Sequence, residues 1–287
     1  EKFNYVFNPE HVSLFPRMFS EDKSVMPNYI SMYGAPDFTF NYGNEQISES
    51  PEAKQFFDEL RQKYENGTIK MDDYLKAKQF GLINVQRPTL AQNLDYFITF
   101  QNYFYFVRYL LWNYSGRQND VEGHMENTHG NFITGIPFID NNLWGDQSEM
   151  PAKFQNESTV KFFMLPLILG LIGFFFQLNR DFGRFYSILS LFILTSVMIV
   201  FYTGMKPFEP RERDYAMVGS FYAFAIWIGL GVAAIYWLIQ KKIKTKGAQI
   251  LVGVVLLGVP MMMGFQNYNV HDRSERYAAY DYAYSSL

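Results

Sequence analysis

The chain has 287 residues, of which 25 are Lys or Arg and 28 are Asp or Glu, so its formal net charge is −3. This balance excludes the basic face of a nucleic-acid-binding protein, and we expect no nucleic-acid partner. Cysteine is absent, which excludes disulfides, thiolate metal sites and a cysteine nucleophile. Aromatic residues reach 19%, a content typical of membrane interfaces and of surfaces on which sugars stack.

The N-terminal region predicts short helices joined by loops. Residues 1–49 are rich in Tyr, Asn, Pro and Ser without a helical or strand period, so we expect irregular structure there. A start signal at Ser50-Pro51 and a stop at Asn66-Gly67 predict one amphipathic helix. A second helix is predicted over residues 71–80, because Gly81 follows as a terminator. We expect no large β-sheet in this region.

A longer aromatic helix is predicted over residues 90–114, with Thr89 as its N-cap. Its Asn and Gln residues make it too polar to span a membrane, and two interpretations stay open: a helix in the membrane interface, or a buried core helix. Polar residues 115–120 end it, and the Gly-, Asn- and Asp-rich stretch 121–151 predicts a long loop. His124 and His129 lie five apart, which does not put them on one helix face, so we expect no metal site there.

Four apolar runs follow, with charged residues between them. They cover residues 162–178, 185–205, 216–240 and 247–265. About 20 apolar residues cross the ~30 Å hydrocarbon core of a bilayer. We therefore predict an all-α fold, in which residues 161–265 form four transmembrane helices. Residues 1–160 form a helical and loop-rich region outside the membrane, with amphipathic or interfacial helices, and residues 266–287 form a tail.

The lysine-rich loop between the last two runs sets the orientation. Residues 241–246 contain four Lys and no acidic residue, so the positive-inside rule places them in the cytoplasm. By alternation, residues 180–184 are cytoplasmic as well. Residues 1–160, the loop 206–214 and the tail 266–287 then lie on the outer side of the membrane.

Three clusters of mixed charge fall on that outer side, at residues 117–120, 206–214 and 271–277. Arginine presents a planar donor fork suited to phosphate, and a carboxylate accepts the proton of a hydroxyl or holds a divalent cation. The alternative is that each cluster only anchors helix ends to lipid phosphates. Three such clusters opposite a lysine loop favour a binding site. Its candidate residues are Arg117, Asp120, Glu209, Arg211, Arg213, Asp214, Arg273 and Arg276.

Four motifs carry a resemblance to a known family. They are Arg-Pro-Thr-Leu-Ala-Gln-Asn-Leu at 87–94, Arg-Tyr-Leu-Leu-Trp-Asn-Tyr-Ser-Gly-Arg-Gln-Asn-Asp at 108–120, Glu-Pro-Arg-Glu-Arg-Asp-Tyr at 209–215 and Asn-Val-His-Asp-Arg-Ser-Glu-Arg-Tyr at 269–277. Through them the chain resembles a family of large multi-spanning Bacteroidota membrane proteins, formerly of unknown function. That family is grouped with the GT-C glycosyltransferases, near protein O-mannosyltransferases.

The resemblance implies a transferase of the bacterial inner membrane. It would move a sugar from a polyprenyl-phosphate donor to an acceptor hydroxyl, a Ser or Thr of a protein or a glycan, on the periplasmic side. This chain would be a central fragment with both ends periplasmic. The usual catalytic acid would lie in a region before residue 1, and a soluble part would follow residue 287.

Under this resemblance, the charged loop has defined roles. Arg211 and Arg213 would neutralise the leaving phosphate, while the candidate catalytic carboxylates Asp214 and Glu209 would orient them or hold a divalent cation. Arg117, Asp120, Arg273 and Arg276 would contact the substrate. The alternative function is a non-enzymatic subunit whose outer region binds partners in a cell-envelope complex. A transporter is disfavoured because the predicted spans contain no Asp, Glu, Lys or Arg.

The predicted orientation is tested by labelling single cysteines introduced into this cysteine-free chain. In intact cells a membrane-impermeant thiol reagent should react with Phe208→Cys on the outer side and leave Lys244→Cys unmodified. Permeabilised cells, in which both should react, are the control. Labelling of Lys244→Cys alone in intact cells would overturn the orientation.

Overall fold

A computed structural model gives the fold, and it describes residues 18, 25–34, 36–45, 47, 50–123, 125–209, 213–272, 274 and 277–285. The described chain is mostly helical. It forms two compact units, one of residues 1–102 with 201–211 and one of residues 103–200 with 212–287. The predicted division at residues 160 and 265 concerns membrane topology, so it stays a prediction.

The first unit packs helices against a short antiparallel sheet. Its elements are α1 Met26–Tyr33, β1 Phe38–Phe40, α2 Pro51–Glu65, α3 Met71–Gln79, β2 Ile83–Val85 and α4 Leu90–Asp95. The strands pair with Phe38 opposite Val85 and Phe40 opposite Ile83. The prediction of irregular structure over residues 1–49 is wrong for α1 and β1. Both are too short, at eight and three residues, for a periodic pattern to stand out.

The predicted helices α2 and α3 are confirmed. The Ser50 hydroxyl accepts a hydrogen bond from the Ala53 amide at 3.3 Å, as an N-cap does. An ion pair of 2.6 Å joins Lys63 of α2 to Asp73 of α3. The core of the unit lies between these helices, α1 and the sheet. Its buried residues are Met26, Ile30, Phe57, Leu60, Tyr74, Ala77, Leu82 and Ile83.

The predicted helix over 90–114 is continuous, but its middle is wider than an α-helix. Thr89 and Gln92 form a capping box at its start. The 12 residues Tyr96–Val107 are π-helical, and α5, Arg108–Tyr114, completes the helix. Buried aromatic residues recur along its length, which supports the interpretation as a core helix over a helix in the interface. They are Tyr96, Phe97, Phe100, Phe104, Tyr105, Phe106, Tyr109 and Tyr114.

The second unit begins with a small folded region where a loop was predicted. Its elements are β3 Gly116–Arg117, α6 Pro137–Trp144 and β4 Val160–Lys161, and β3 pairs antiparallel with β4. The prediction of a loop over 121–151 therefore missed α6. Asp140 of α6 is buried and accepts hydrogen bonds from the Thr134 and Gly135 amides at 2.7 and 2.8 Å, which tie the helix to the turn before it.

The rest of the second unit is apolar helix. The elements are α7 Leu165–Arg180, α8 Phe182–Leu194, α9 Val197–Thr203, α10 Val218–Lys242, α11 Lys246–His271 and α12 Ala278–Ser285. Residues 201–203 of α9 are counted with the first unit. Among the described residues, three helical segments are long and apolar enough to cross a membrane: Phe182–Thr203, Asp214–Lys242 and Lys246–His271. They correspond to the last three predicted runs, so the chain has the helices of a membrane protein.

The first predicted run forms the shorter helix α7. Its 16 residues span about 24 Å, less than the ~30 Å hydrocarbon core. The helix begins three residues later than predicted because Phe163 and Met164 have φ values of 53° and 57°, outside the right-handed helical region. Four transmembrane spans are therefore not confirmed by helix length.

Small residues bring α7 and α10 into close contact. A Cβ atom added to Gly173 of α7 would lie 1.8 Å from the Trp227 carbonyl oxygen of α10, and one added to Gly231 would lie 2.0 Å from the Leu169 carbonyl oxygen. Glycines at these positions let the two backbones touch, as in packed membrane helices. In the same contact the Trp227 indole donates a hydrogen bond of 2.8 Å to the Gln177 amide oxygen.

This contact predicts different effects for two glycine substitutions. Gly173→Ala should lower the free energy of unfolding by about 1–3 kcal/mol, because the added methyl group overlaps the α10 backbone. Gly229→Ala is the matched control, since nothing lies within 4 Å of an added Cβ there, and alanine raises helix propensity. Thermal unfolding in detergent, followed by circular dichroism, measures both. Equal stability of the two variants would contradict the packing.

Candidate functional site

The motif at residues 115–120 connects the end of the long helix to the loop that follows. Asn119 is fully buried, and its amide oxygen accepts hydrogen bonds from the Gly130 and Val121 amides at 2.8 and 3.2 Å. Its amide nitrogen donates to the Thr128 and Phe154 carbonyl oxygens at 3.0 and 3.1 Å. One side chain thereby holds three separate segments of the loop together.

Gln118, which is also buried, holds the same loop at further points. Its amide nitrogen donates to the Asn127 carbonyl oxygen and to the Gln147 side-chain oxygen, both at 2.9 Å. Its oxygen accepts from the Asn131 backbone and side-chain nitrogens at 3.3 and 3.1 Å. Because buried polar groups need such partners, these bonds specify one arrangement of the loop.

Gly116 sits where three chain segments meet. A Cβ atom at this position would lie 2.5 Å from the Val160 carbonyl oxygen and 2.7 Å from the Ile133 carbonyl oxygen. Only glycine fits between these backbones. The close approach fixes the backbone of the next residue, Arg117, against β4.

Arg117 is the cation of the candidate site. Its Nε donates a hydrogen bond of 2.9 Å to the Ser158 carbonyl oxygen. Its buried Nη2 has no hydrogen-bond partner among the described residues. Burial lowers the pKa of the Arg117 guanidinium, whereas the nearby carboxylates of Asp120 and Asp214 raise it. Arginine stays protonated in proteins. Arg117 therefore offers a positive charge together with an Nη2 donor that has no partner among the described residues.

Asp120 and Asp214 are the acidic side chains beside Arg117, and both are exposed. The Asp120 Oδ1 accepts a hydrogen bond of 2.6 Å from the Asn156 side chain. Asp214 opens the short 3-10 helix Asp214–Met217 that leads into α10. Arg213 directly precedes it and is half-buried. The second unit thus brings together Arg117, Asp120 and Asp214 of the predicted site residues.

A polar cleft of about 580 Å³ lies next to this group. It includes Asn156, which holds Asp120, and Gln118, the neighbour of Arg117 in the chain. Amide and hydroxyl side chains of this kind recognise sugar hydroxyls, since each both donates and accepts hydrogen bonds. The lining residues are Gln118, Ile133, Gln147, Ser148, Met150, Gln155, Asn156, Glu157, Thr159 and Lys161.

Sequence reasoning missed this cleft. The carboxylate of Glu157 and the ammonium group of Lys161 have no hydrogen-bond or ion-pair partner among the described residues, so both remain available to a ligand. The only local sequence signal was the polar stretch 155–159. These residues line a cleft only because Gln118 and Asn119 hold the loop in one arrangement. The spacing of residues in the sequence does not predict that arrangement.

Glu209 belongs to the first unit. Its carboxylate accepts a hydrogen bond of 3.2 Å from the Lys206 amide. The preceding residue, Met205, is held by its carbonyl oxygen, which accepts from the Tyr96 hydroxyl at 3.0 Å and from the Gln101 side chain at 2.7 Å. This half of the charged loop is therefore fixed on the core helix of the first unit.

The other predicted site residues lie outside the described part of the chain. These are Arg211, Arg273 and Arg276, whose roles stay predictions, and His124 lies outside it as well. Within the described residues, no three His, Asp or Glu side chains are gathered so as to hold a metal ion. His129 contacts Thr128 Oγ1 at 3.0 Å through its Nδ1 and the Phe154 ring through its edge.

The role of Asn119 predicts a local effect of its removal. Asn119→Ala leaves the buried Gly130 amide unpaired, which costs about 1–3 kcal/mol, and frees two carbonyl groups. Hydrogen exchange in peptides covering residues 121–159 should accelerate at least ~10-fold. Asn142→Ala is the control, because this exposed side chain bonds only the Phe138 carbonyl oxygen of its own helix. Unchanged exchange in Asn119→Ala would show that the loop does not depend on it.

Comparison with known proteins adds one match. The profile of a family of unknown function, DUF8416, matches residues 1–98. No curated protein and no solved structure matches the chain. This match does not connect the chain to Bacteroidota or to GT-C enzymes. It also ends before the candidate site at residues 117–120.

Proposed function

We propose that this protein is a membrane glycosyltransferase of the GT-C type. It transfers a sugar from a polyprenyl-phosphate donor to an acceptor hydroxyl, that of a protein Ser or Thr, on the periplasmic side of the bacterial inner membrane. The observation that carries the proposal is the buried Nη2 of Arg117, which has no hydrogen-bond partner in the described part of the chain and lies near Asp120 and Asp214. The resemblance through residues 108–120 and 209–215 supports the same class.

The proposed chemistry is a single displacement. A carboxylate takes the proton of the acceptor hydroxyl as the oxygen attacks the anomeric carbon, and the bond from that carbon to the phosphate oxygen breaks. The leaving phosphate keeps the bonding electrons. A guanidinium fork stabilises the charge that develops on the phosphate, because it can donate two parallel hydrogen bonds to it.

The residues of the second unit fit separate parts of this reaction. We assign the donor phosphate to Arg117 and the sugar hydroxyls to Asp120 and the amides of the polar cleft. Asp214 is a positioning residue that keeps Arg117 charged and oriented. Arg211, Arg213 and Glu209 remain proposed contributors from the charged loop.

The proposal includes a fourth membrane crossing by α7. Its support is that α7 runs parallel to the candidate span α10: Gly170 faces Phe224 near one end, and Arg180 lies on Trp237 near the other. The side chain of Gln266, near the end of α11, exchanges hydrogen bonds of 2.8 and 2.9 Å with the Lys161 backbone. With the lysine loop in the cytoplasm, the end of α11 that carries Gln266 faces the periplasm, and so does the Arg117 region.

Replacing Arg117 tests the proposal. Arg117→Lys keeps the charge but loses the fork, and a charge-assisted hydrogen bond contributes about 1.5–3 kcal/mol. We expect kcat/KM for the polyprenyl-phosphate sugar to fall at least ~10-fold, with a loss in kcat because the fork stabilises charge that develops on the leaving phosphate, measured as sugar transfer in membranes that contain the protein. Arg184→Lys is the control, because Arg184 is exposed and pairs with Asp181 at 3.3 Å.

The outcome separates the two candidate functions. Transfer that is unchanged in Arg117→Lys and in Arg117→Gln, with both variants inserted normally, would reject the site. A non-enzymatic subunit of a cell-envelope complex would then be the better account.

A further inference from the structure

An apolar groove runs along α7 and α10 and ends at Arg180, at the end of α7 that lies away from the Arg117 region. Its volume is about 760 Å³. Apolar and aromatic side chains form nearly all of it, and the polar exceptions, Asn179 and Arg180, are consecutive residues at the end of α7. The lining residues are Ile168, Leu171, Ile172, Phe175, Phe176, Asn179, Arg180, Ala234, Trp237 and Leu238.

Two cations converge on one aromatic ring at the polar end of the groove. The Arg180 guanidinium carbon lies 4.6 Å from the centre of the Trp237 ring and 5.3 Å from that of Phe176. The Lys241 ammonium lies 3.6 Å from the centre of the same Trp237 ring. Ring contacts leave the hydrogen-bond donors of both side chains free for an anion.

The surroundings of this end are strongly positive. Residues 180–184 and 241–246 contain six Lys and Arg and one Asp. That one carboxylate, Asp181, already pairs with Arg184 at 3.3 Å. An anionic group placed between Arg180 and Lys241 therefore meets a cationic surface, since the one acid of residues 180–184 and 241–246 is already paired.

The length of the groove matches one leaflet of a bilayer. From Ile168 to Arg180 the helix rises about 18 Å, and half of the ~30 Å hydrocarbon core is about 15 Å. A single acyl chain laid along Leu171 and Phe175 would reach from the cations to the bilayer centre. Trp237 stands one helical turn before Lys241, and membrane proteins concentrate indole rings at the membrane–water interface.

We propose that this groove binds one anionic phospholipid of the lysine-side leaflet, with its phosphate between Arg180 and Lys241. Ordinary snorkelling of the two cations toward bulk headgroups would give no defined stoichiometry. A bound lipid gives one molecule per chain and a preference for a negatively charged headgroup, because each cation near the surface favours anionic lipid.

Native mass spectrometry tests the proposal with the full chain released from nanodiscs of equal phosphatidylglycerol and phosphatidylethanolamine. The wild-type protein should retain one phosphatidylglycerol. In the Arg180→Gln, Lys241→Gln variant, the fraction of protein that retains phosphatidylglycerol should fall at least ~10-fold. The Lys244→Gln, Lys246→Gln variant removes the same charge outside the groove and should keep it.

A second variant tests the apolar part. Leu171→Trp fills the groove without changing charge, so it should reduce retention of both lipids. If both charge variants lost phosphatidylglycerol equally, the lipid would be held only by the general positive charge of this surface, and the proposal would be overturned. A dimer mass without bound lipid would instead assign the groove to a second copy of the chain.

Discussion

The buried side-chain amides of Gln118 and Asn119 are the interactions on which the candidate site depends. They bond the loop after residue 120 at both its near and far ends, with Asn119 alone reaching Val121, Thr128, Gly130 and Phe154. Arg108 and Trp112 add hydrogen bonds of 2.9 and 3.0 Å to the Gly130 carbonyl oxygen. These hydrogen bonds hold the loop in one arrangement, because its buried polar groups need these particular partners.

Adjacent residues of one motif hold the loop in place and supply the proposed ligand contacts. Within residues 116–120, Gly116 permits three backbones to meet, and the next two amides, Gln118 and Asn119, fold the loop. The buried Nη2 of Arg117 has no hydrogen-bond partner among the described residues, and Asp120, bonded to Asn156, lies at the edge of the polar cleft. The proposed phosphate and sugar contacts therefore come from residues whose positions are fixed by their immediate neighbours.

The sequence predicted what depends on local signals. The Ser50-Pro51 start, the Thr89 N-cap and the last three apolar runs each act over one helix, and the structure confirms these helices. It did not predict α6, because that helix is stabilised by Asp140 bonding to the turn before it. It also joined residues 206–214 into one cluster, although the structure assigns Glu209 and Asp214 to different compact units. Charge density in a sequence does not show which core holds each residue.

We propose above all that a lipid-linked phosphate binds at Arg117. The most direct measurement is a cryo-EM map of the protein in nanodiscs that contain a polyprenyl phosphate. We expect phosphate density within hydrogen-bond distance, ~3 Å, of the Arg117 guanidinium, with Asp120 facing the headgroup. Polyprenyl-phosphate density only at the Arg180 and Lys241 end of the helices, with the Arg117 region occupied by protein, would contradict the claim.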